Sequence, residues 1–175
     1  MGSFKNLVSI GRKYHKKGNP SAEMIFKIME HLQRTEEEKK IAVYVSMVYD
    51  LGMVPLDEGI KQKKTLTASE LLAVRGHPHT TVNLLEGFEF SDEVKRAIEH
   101  HHERFDGTGY PDGLKAEEIP FISRVLHAVD TFYAMTGERQ YRKTLTEQEA
   151  LKEIKKASGT IYDPTIVEAL EKILQ

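Results

Sequence analysis

The chain has 175 residues and a mass of 20.0 kDa; 39% of its residues are hydrophobic and 30% are charged. These values fit one globular domain with a sizeable core and exclude a disordered tail or a fibrous protein. The net charge of −2, from 25 Lys and Arg against 27 Asp and Glu, argues against binding to nucleic-acid polymers or membrane surfaces, because no overall basic field exists.

The N-terminal part of the chain has the spacing of amphipathic helices. Apolar residues follow Pro20 at helical spacing; they are Met24, Ile25, Ile28, Met29 and Leu32. Thr35 and Glu38 match a capping box, which predicts that a second helix begins there. Apolar residues, Tyr44 among them, lie on nearly every side of this second helix, so we expect it to be the central buried helix of the fold.

The middle of the chain alternates short helices with loops. We predict an irregular loop over residues 55–64, followed by short helices over residues 68–74 and 77–85. Ser91 is placed to cap another helix, whose buried stripe is predicted to extend from Val94 to His101. Residues 106–113 hold three of the twelve glycines, which predicts a turn-rich loop.

Helices also account for the last third of the chain. Pro120 suits the first turn of a long helix. Thr146 and Glu149 match another capping box, and Asp163 before Pro164 is placed to cap the last helix. No strand-like alternation reaches a useful length, so the sequence predicts an all-α, single-domain fold. No apolar run approaches the roughly 20 residues that a membrane span needs.

A cluster of histidines is the main chemical feature, because five of the eight histidines lie within residues 77–102. His101 and His102 are predicted to face the core. Asp50 follows the most hydrophobic helix, and Asp130 lies inside an apolar stripe, where an unpaired carboxylate is costly. The chain has no cysteine, which excludes thiolate metal sites and fits the reducing cytoplasm, where we expect the protein. Histidines and carboxylates together match a site for Zn, Mn or Fe.

Simpler interpretations exist for each of these residues. A single histidine on an apolar face is most often a satisfied core residue, and a single aspartate after a helix is most often a cap. Only their joint occurrence favours a metal or phosphate site, and the pattern alone leaves both interpretations open. We assign structural roles to His79 and His100, and we expect His15, His31 and His127 to be solvated or packed.

A longer motif, HHERFDGTGYPDGL, covers residues 101–114. It resembles the signature loop of the HD-GYP family, bacterial metal-dependent phosphodiesterases that linearise and cleave cyclic di-GMP. The resemblance extends over roughly residues 34–174. It implies a helical bundle of the HD-domain type, with a glycine-rich GYP loop, over residues 34–175. Residues 1–33 are then N-terminal helices that belong either to that domain or to a linker.

The resemblance implies two metal positions. The first has a complete ligand set, which is Asp50, His77, His101 and His102. The second keeps only Asp50 and Asp130. We therefore expect at most one divalent transition metal per chain, either Fe, Mn or Zn, or none.

Two departures from the family pattern lie beside Asp50, the catalytic aspartate that the resemblance implies. Tyr49 stands where the family has the histidine of its His-Asp pair, and Met53 stands where it has a lysine. The region near Lys17 also lacks the family's earlier histidine. Losing a metal and a lysine removes positive charge from the transition state, which costs several powers of ten in rate. We therefore expect catalysis to be impaired.

Residues that bind anions are better preserved. The resemblance assigns phosphate contacts to Tyr110, Arg139 and Arg142, and the backbone at Gly107 and Gly109 lets another molecule approach closely. Guanidinium groups suit phosphate whether or not it is cleaved. The alternative for residues 139–143 is a solvated loop.

Three functional hypotheses follow. The first is a degenerate HD-GYP-like signalling domain with impaired catalysis, which binds a cyclic dinucleotide or a protein partner of the diguanylate cyclase type. The second is a working cyclic di-GMP phosphodiesterase with an unusual centre, and the third is a helical scaffold. Tyr49 and Met53 argue against the enzyme, whereas the retained histidines argue against the scaffold. The oligomeric state is left open by the sequence.

Overall fold

The computed structural model describes residues 20–63, 65–88, 90–137 and 144–175, and over these ranges the fold is helical without a β-strand. The helices in chain order are α1 (Pro20–His31), α2 (Glu36–Val48), α3 (Glu58–Gln62), α4 (Ala68–Arg75), α5 (His77–Leu84), α6 (Asp92–Glu99), α7 (Phe121–Thr136), α8 (Glu147–Lys156) and α9 (Pro164–Leu174). Two 3₁₀ turns lie at Leu51–Met53 and Ala116–Glu118. The predicted all-α class is confirmed.

Several helices begin at the capping residues that the sequence indicates. The Thr35 side chain accepts a hydrogen bond from the Glu38 backbone, and the Glu38 carboxylate accepts one from the Thr35 backbone. Thr146 and Glu149 form the same reciprocal pair at α8, and Asp163 caps α9. Because each such cap contributes about 1 kcal/mol, these residues define the helix starts locally.

The core is arranged around α7. Its buried residues are Ile122, Ser123, Val125, Leu126, Ala128, Val129, Phe132 and Met135. This helix packs against α1, α6, α8 and α9. The prediction that α2 is the central helix is wrong, because α2 packs against α1 and α6 while Tyr44 on its outer side is 38% exposed.

Two local predictions also need correction. The region predicted as an irregular loop contains α3, which begins after Asp57, whose carboxylate accepts a hydrogen bond from the Gly59 backbone at 2.7 Å. Helix α6 ends at Glu99, so His101 lies in the following turn, although it is fully buried as expected. The backbone leaves the helical conformation at His100, where φ is −103° and ψ is 16°.

Helix α1 belongs to the same core as α7. Ile25, Ile28 and Met29 are fully buried, and α1 packs against α2, α7 and α9. The boundary expected between residues 33 and 34 stays a prediction. Among the described residues, no helix combines the length and apolar character that crossing a membrane requires.

Candidate metal centre and signature loop

Three histidine rings meet where α5 begins and α6 has ended. His77 is the first residue of α5, and His101 and His102 follow α6. One ring nitrogen from each lies within 4.8 Å of those of the other two. The Nε2 atoms of His77 and His101 are 3.3 Å apart. The structure thus brings together the three histidines that the sequence singles out.

Asp50 adds an oxygen to this cluster. Its Oδ1 atom lies 3.1 Å from His77 Nε2 and 3.9 Å from His101 Nε2, and its side chain is one-third exposed. The position follows from the chain path, because Asp50 sits at the end of α2 and immediately before the turn Leu51–Met53. Three nitrogens and one carboxylate oxygen are therefore gathered at one place.

Backbone carbonyls fix the orientation of two of the rings. His77 Nδ1 lies 2.7 Å from the Val74 carbonyl oxygen, and His101 Nδ1 lies 2.5 Å from that of Ile98. Since a carbonyl oxygen only accepts, both Nδ1 atoms carry a proton and donate it. This orientation directs both Nε2 atoms toward Asp50 and is the arrangement in which histidines bind metal.

Burial lowers the pKa of two of the three histidines. It lowers the pKa of His101 to about 4, against the opposing effect of Asp50. Burial also lowers the pKa of His102, and the neighbouring ring of His101 lowers it further. At pH 7 the Nε2 atom of His101 is therefore an acceptor that faces His77 Nε2 and the Asp50 oxygen. Together with His77, His102 and Asp50, this acceptor completes a ligand set that fits Zn, Fe or Mn.

Asp130 lies outside the three-histidine group and has a different partner. The Tyr49 hydroxyl donates a hydrogen bond to Asp130 Oδ1 at 2.7 Å. Tyr49 is buried, and its ring packs edge-on against His101 with the centroids 5.0 Å apart. The carboxylate that the resemblance assigns to a second metal is thus hydrogen-bonded to a neutral phenol. Met53, which the resemblance places where the family has a lysine, lies in the following 3₁₀ turn and carries no charge.

Thr81 ties the Asp50 segment to α5. Its hydroxyl accepts a hydrogen bond from the Gly52 backbone at 2.8 Å and lies 2.9 Å from the carbonyl oxygens of both Tyr49 and His77. Because Tyr49 and Gly52 flank the Asp50 segment, this buried hydroxyl sets the position of Asp50 relative to His77.

Thr81→Val keeps the shape of the side chain and removes its hydrogen bonds. We expect it to lower the free energy of unfolding by about 1–3 kcal/mol, because the buried Gly52 N–H loses its acceptor. Metal affinity should fall by about 10–100-fold, which is typical when a group supporting a ligand is lost. Denaturant titration and chelator competition measure the two effects. Thr81→Ser retains the hydroxyl and should behave like the wild type; equal losses in both variants would contradict the assignment.

Glu103 holds the signature loop from inside. Its side chain is fully buried, and its Oε1 atom accepts hydrogen bonds from the backbones of Asp112 at 2.8 Å and Gly113 at 3.0 Å. Gly109 packs directly on Glu103, since an added Cβ would lie 2.5 Å from the Glu103 Cα. Gly107 has a φ of 82°, a left-handed conformation that favours glycine. The loop is therefore fixed to the segment that carries His101 and His102.

Tyr110 extends from this loop over the histidine cluster. Its ring stacks on His102 with the centroids 5.0 Å apart and the planes at 25°. Burial raises the pKa of the Tyr110 phenol to about 12, and the carboxylates of Asp50 and Asp130 act in the same direction. The phenol is therefore neutral at pH 7 and can donate a hydrogen bond to an anion.

The sequence also singles out several residues beyond the metal centre. Arg139, Arg142 and His15 lie outside the described residues. His31 and His79 are exposed, and His79 lies 3.2 Å from Glu99.

His127 has a larger role than the sequence assigned to it. Its Nδ1 atom donates to the Glu103 carbonyl at 2.7 Å, and its ring lies 6.3 Å from that of His102. Its spacing of three residues before Asp130 on α7 would have placed both on one helix face. The contributions of Thr81 and Glu103 have no comparable signal, because they arise from packing between segments.

Comparison with known proteins gives a consistent result. A family model described as HD domain matches residues 6–166. A cyclic di-GMP phosphodiesterase response regulator of Xanthomonas campestris, RpfG, is 33% identical over 146 residues, covering 82% of this chain and 39% of that protein. A cyclic di-GMP phosphodiesterase of Thermotoga maritima is 32% identical over 138 residues, covering 74% of this chain and 36% of that protein. The chain thus spans less than two-fifths of the length of these relatives.

Two solved structures share the fold. A cyclic GMP-AMP-specific phosphodiesterase of Vibrio cholerae has a TM-score of 0.68 at 21% identity, covering 88% of this chain and 42% of that one. An HDG"Y"P protein from Bdellovibrio bacteriovorus has a TM-score of 0.71 at 17% identity, covering 89% and 50%. At these identities the likeness concerns the fold alone. The family model and the curated relatives carry the assignment further: the chain belongs to the HD domain family, with the HD-GYP signature that its sequence predicts.

Proposed function

We propose that this chain is a signalling domain of the HD-GYP type that binds a cyclic dinucleotide, with cyclic di-GMP as the first candidate, and hydrolyses it slowly. The hydrogen bond of 2.7 Å between Tyr49 and Asp130 is the observation that carries the proposal. It stands beside a complete set of four donors for one metal, so the binding chemistry of one position is retained while the other is altered.

A metal at the retained position would be bound by His77, His101, His102 and Asp50. A transition metal bound there would polarise a phosphate and neutralise part of its negative charge. The chain itself contributes the neutral Tyr110 phenol as a hydrogen-bond donor and a loop held in place by Glu103. These groups serve binding as much as cleavage.

Impaired hydrolysis follows from the loss of positive charge at the site. Cleavage of a phosphodiester at a two-metal centre uses both metals to stabilise the attacking and leaving oxygens. Here Tyr49 supplies a neutral hydroxyl and Met53 a thioether where the family has a histidine and a lysine. Each missing group of this kind costs about 10²–10³ in rate.

Relatives support the choice of ligand. The Xanthomonas and Thermotoga proteins are named as phosphodiesterases of cyclic di-GMP, and a Vibrio relative that is 32% identical, covering 74% of this chain and 28% of that protein, is named as specific for 3'3'-cGAMP. A protein partner of the diguanylate cyclase type, bound through residues 106–113, and a cytoplasmic location stay predictions.

A working phosphodiesterase is the second candidate. The observation that favours it is the approach of Asp50 Oδ1 to His77 Nε2 at 3.1 Å, because this aspartate is the one that both metal positions of the family share. A centre with one metal retains part of the charge stabilisation that cleavage needs.

A binding and turnover assay separates the two candidates. We expect cyclic di-GMP to bind the metal-loaded chain saturably in calorimetry, while its hydrolysis, followed by chromatography, is at least about 10³-fold slower than that by the Thermotoga relative in parallel. Rapid hydrolysis that Asp50→Ala abolishes would establish the second candidate instead. Absence of binding to cyclic di-GMP and 3'3'-cGAMP would contradict the proposal.

A further inference from the structure

An exposed guanidinium lies beside the signature loop. Arg75 is the last residue of α4, two positions before His77, and its Cζ atom lies 5.3 Å from the centroid of the Tyr110 ring. The ring of Tyr110 also stacks on the ring of His102, with the centroids 5.0 Å apart. The three side chains therefore link the histidine cluster to the exposed surface.

Among the arginines in the described residues, Arg75 differs in its partners from three others. Arg34, Arg104 and Arg124 each lie within 4.0 Å of a carboxylate. No carboxylate in the described ranges comes that close to Arg75, and its guanidinium lies over the ring of Tyr110. A cation–π contact of this kind orients the planar group without using its N–H donors. Those donors are available to an anion.

The acidic side chains around the histidine cluster favour a cationic group at this position. Asp50 and Asp130 bring two carboxyl groups to this site, and Met53 supplies no cation. A cyclic dinucleotide brings two phosphodiester charges toward this site, and a single metal would balance only part of the total. A guanidinium forms two parallel charge-assisted hydrogen bonds with phosphate oxygens.

We infer that Arg75, held over the ring of Tyr110, binds a phosphate of the cyclic dinucleotide at the mouth of the metal centre. The inference rests on the proposed function and adds to its site a binding residue from α4. Arg75 would supply a positive charge at the entrance to the metal centre. Met53, beside Asp50, supplies none.

A structural role for Arg75 makes a different prediction. A basic side chain in the last turn of a helix interacts favourably with the helix C-terminus. Removing such an interaction would lower stability and leave ligand affinity unchanged. Affinity, stability and metal content must therefore be measured on the same variants.

The test is calorimetric titration of cyclic di-GMP into the metal-loaded chain. We expect Arg75→Gln to weaken binding by about tenfold or more, the usual effect of losing a charge-assisted hydrogen bond. Arg75→Lys should retain part of the affinity, because lysine offers a charge without the planar fork. Arg96→Gln is the matched control: Arg96 is also exposed, but it lines a separate surface cavity with Glu93 and Glu117.

The outcomes of this titration separate a binding role of Arg75 from a structural one. Equal affinity of Arg75→Gln and Arg96→Gln, with clear binding by the wild type, would overturn the inference and leave the proposed function standing. A loss of affinity accompanied by loss of bound metal or a lowered melting temperature would indicate a structural role and would also overturn it. If the wild type binds no cyclic dinucleotide, the inference falls together with the proposed function.

Discussion

His101→Ala is expected to reduce the metal content of the purified chain from about one atom to none, with a loss of affinity of at least about a hundredfold, since losing a supporting group alone costs 10–100-fold. His101 is fully buried, and its Nε2 atom lies 3.3 Å from His77 Nε2 and 3.9 Å from Asp50 Oδ1. Removing the ring takes away one of four donors and leaves a cavity in its place. Elemental analysis after dialysis measures the content, and chelator competition measures the affinity.

The control for this experiment is His79→Ala. His79 is exposed and lies beside Glu99, so its loss should leave the metal content at one per chain. Because a buried alanine at position 101 can disturb folding, His102→Ala provides a second test at a partly buried ring, with circular dichroism as the check on structure. Two or more metals per wild-type chain would contradict the single-metal centre, and full metal content in both variants would exclude these histidines as ligands.

The local part of the fold is readable from the sequence. Helix starts at Thr35, Thr146 and Asp163 depend on hydrogen bonds within three residues, so the residue types alone indicate them. The centre of the fold is different. Residues on α2 such as Tyr44 are apolar enough to be buried, but burial depends on which helices pack against which face, and α7 takes the central place.

The candidate site shows the same division. The signature loop carries its residues in one run, so the sequence already places His101, His102 and Tyr110 in a single segment. The hydrogen bond between Tyr49 and Asp130 joins residues 81 positions apart, and no local pattern indicates it. The family resemblance implies only that Tyr49 replaces a metal-binding histidine. Its hydroxyl also engages a carboxylate of the site, which is a property of the packed structure.

Arg75 illustrates a further limit. In the sequence it is an ordinary basic residue at a helix end, before the Gly76 that separates α4 from α5. Its relation to the site arises because the signature loop folds back, with Glu103 binding the backbones of Asp112 and Gly113, and brings Tyr110 against it. A residue whose function depends on a loop's path is found only once that path is known.

Gly52→Ala is expected to lower the free energy of unfolding by about 3 kcal/mol or more, at the upper end of the cost of overpacking. An added Cβ would lie 2.1 Å from the His77 carbonyl oxygen and 2.8 Å from both the backbone nitrogen and the hydroxyl of Thr81. Backbone atoms in the first turns of a helix cannot yield as a side chain can, so the segment of Asp50 must move away from α5. Urea unfolding measures the loss.

The same displacement links the stability of the protein to its metal affinity. Moving Gly52 breaks its hydrogen bond to Thr81 and separates Asp50 from His77, so metal affinity should fall along with stability. Gly76→Ala is the matched control near the same cluster: its added Cβ would lie 3.4 Å from the nearest atom, and its φ is −78°, which alanine adopts freely. We expect that variant to stay within about 1 kcal/mol of the wild type. Equal stability and equal metal affinity in the two variants would show that Gly52 does not fix Asp50 against α5.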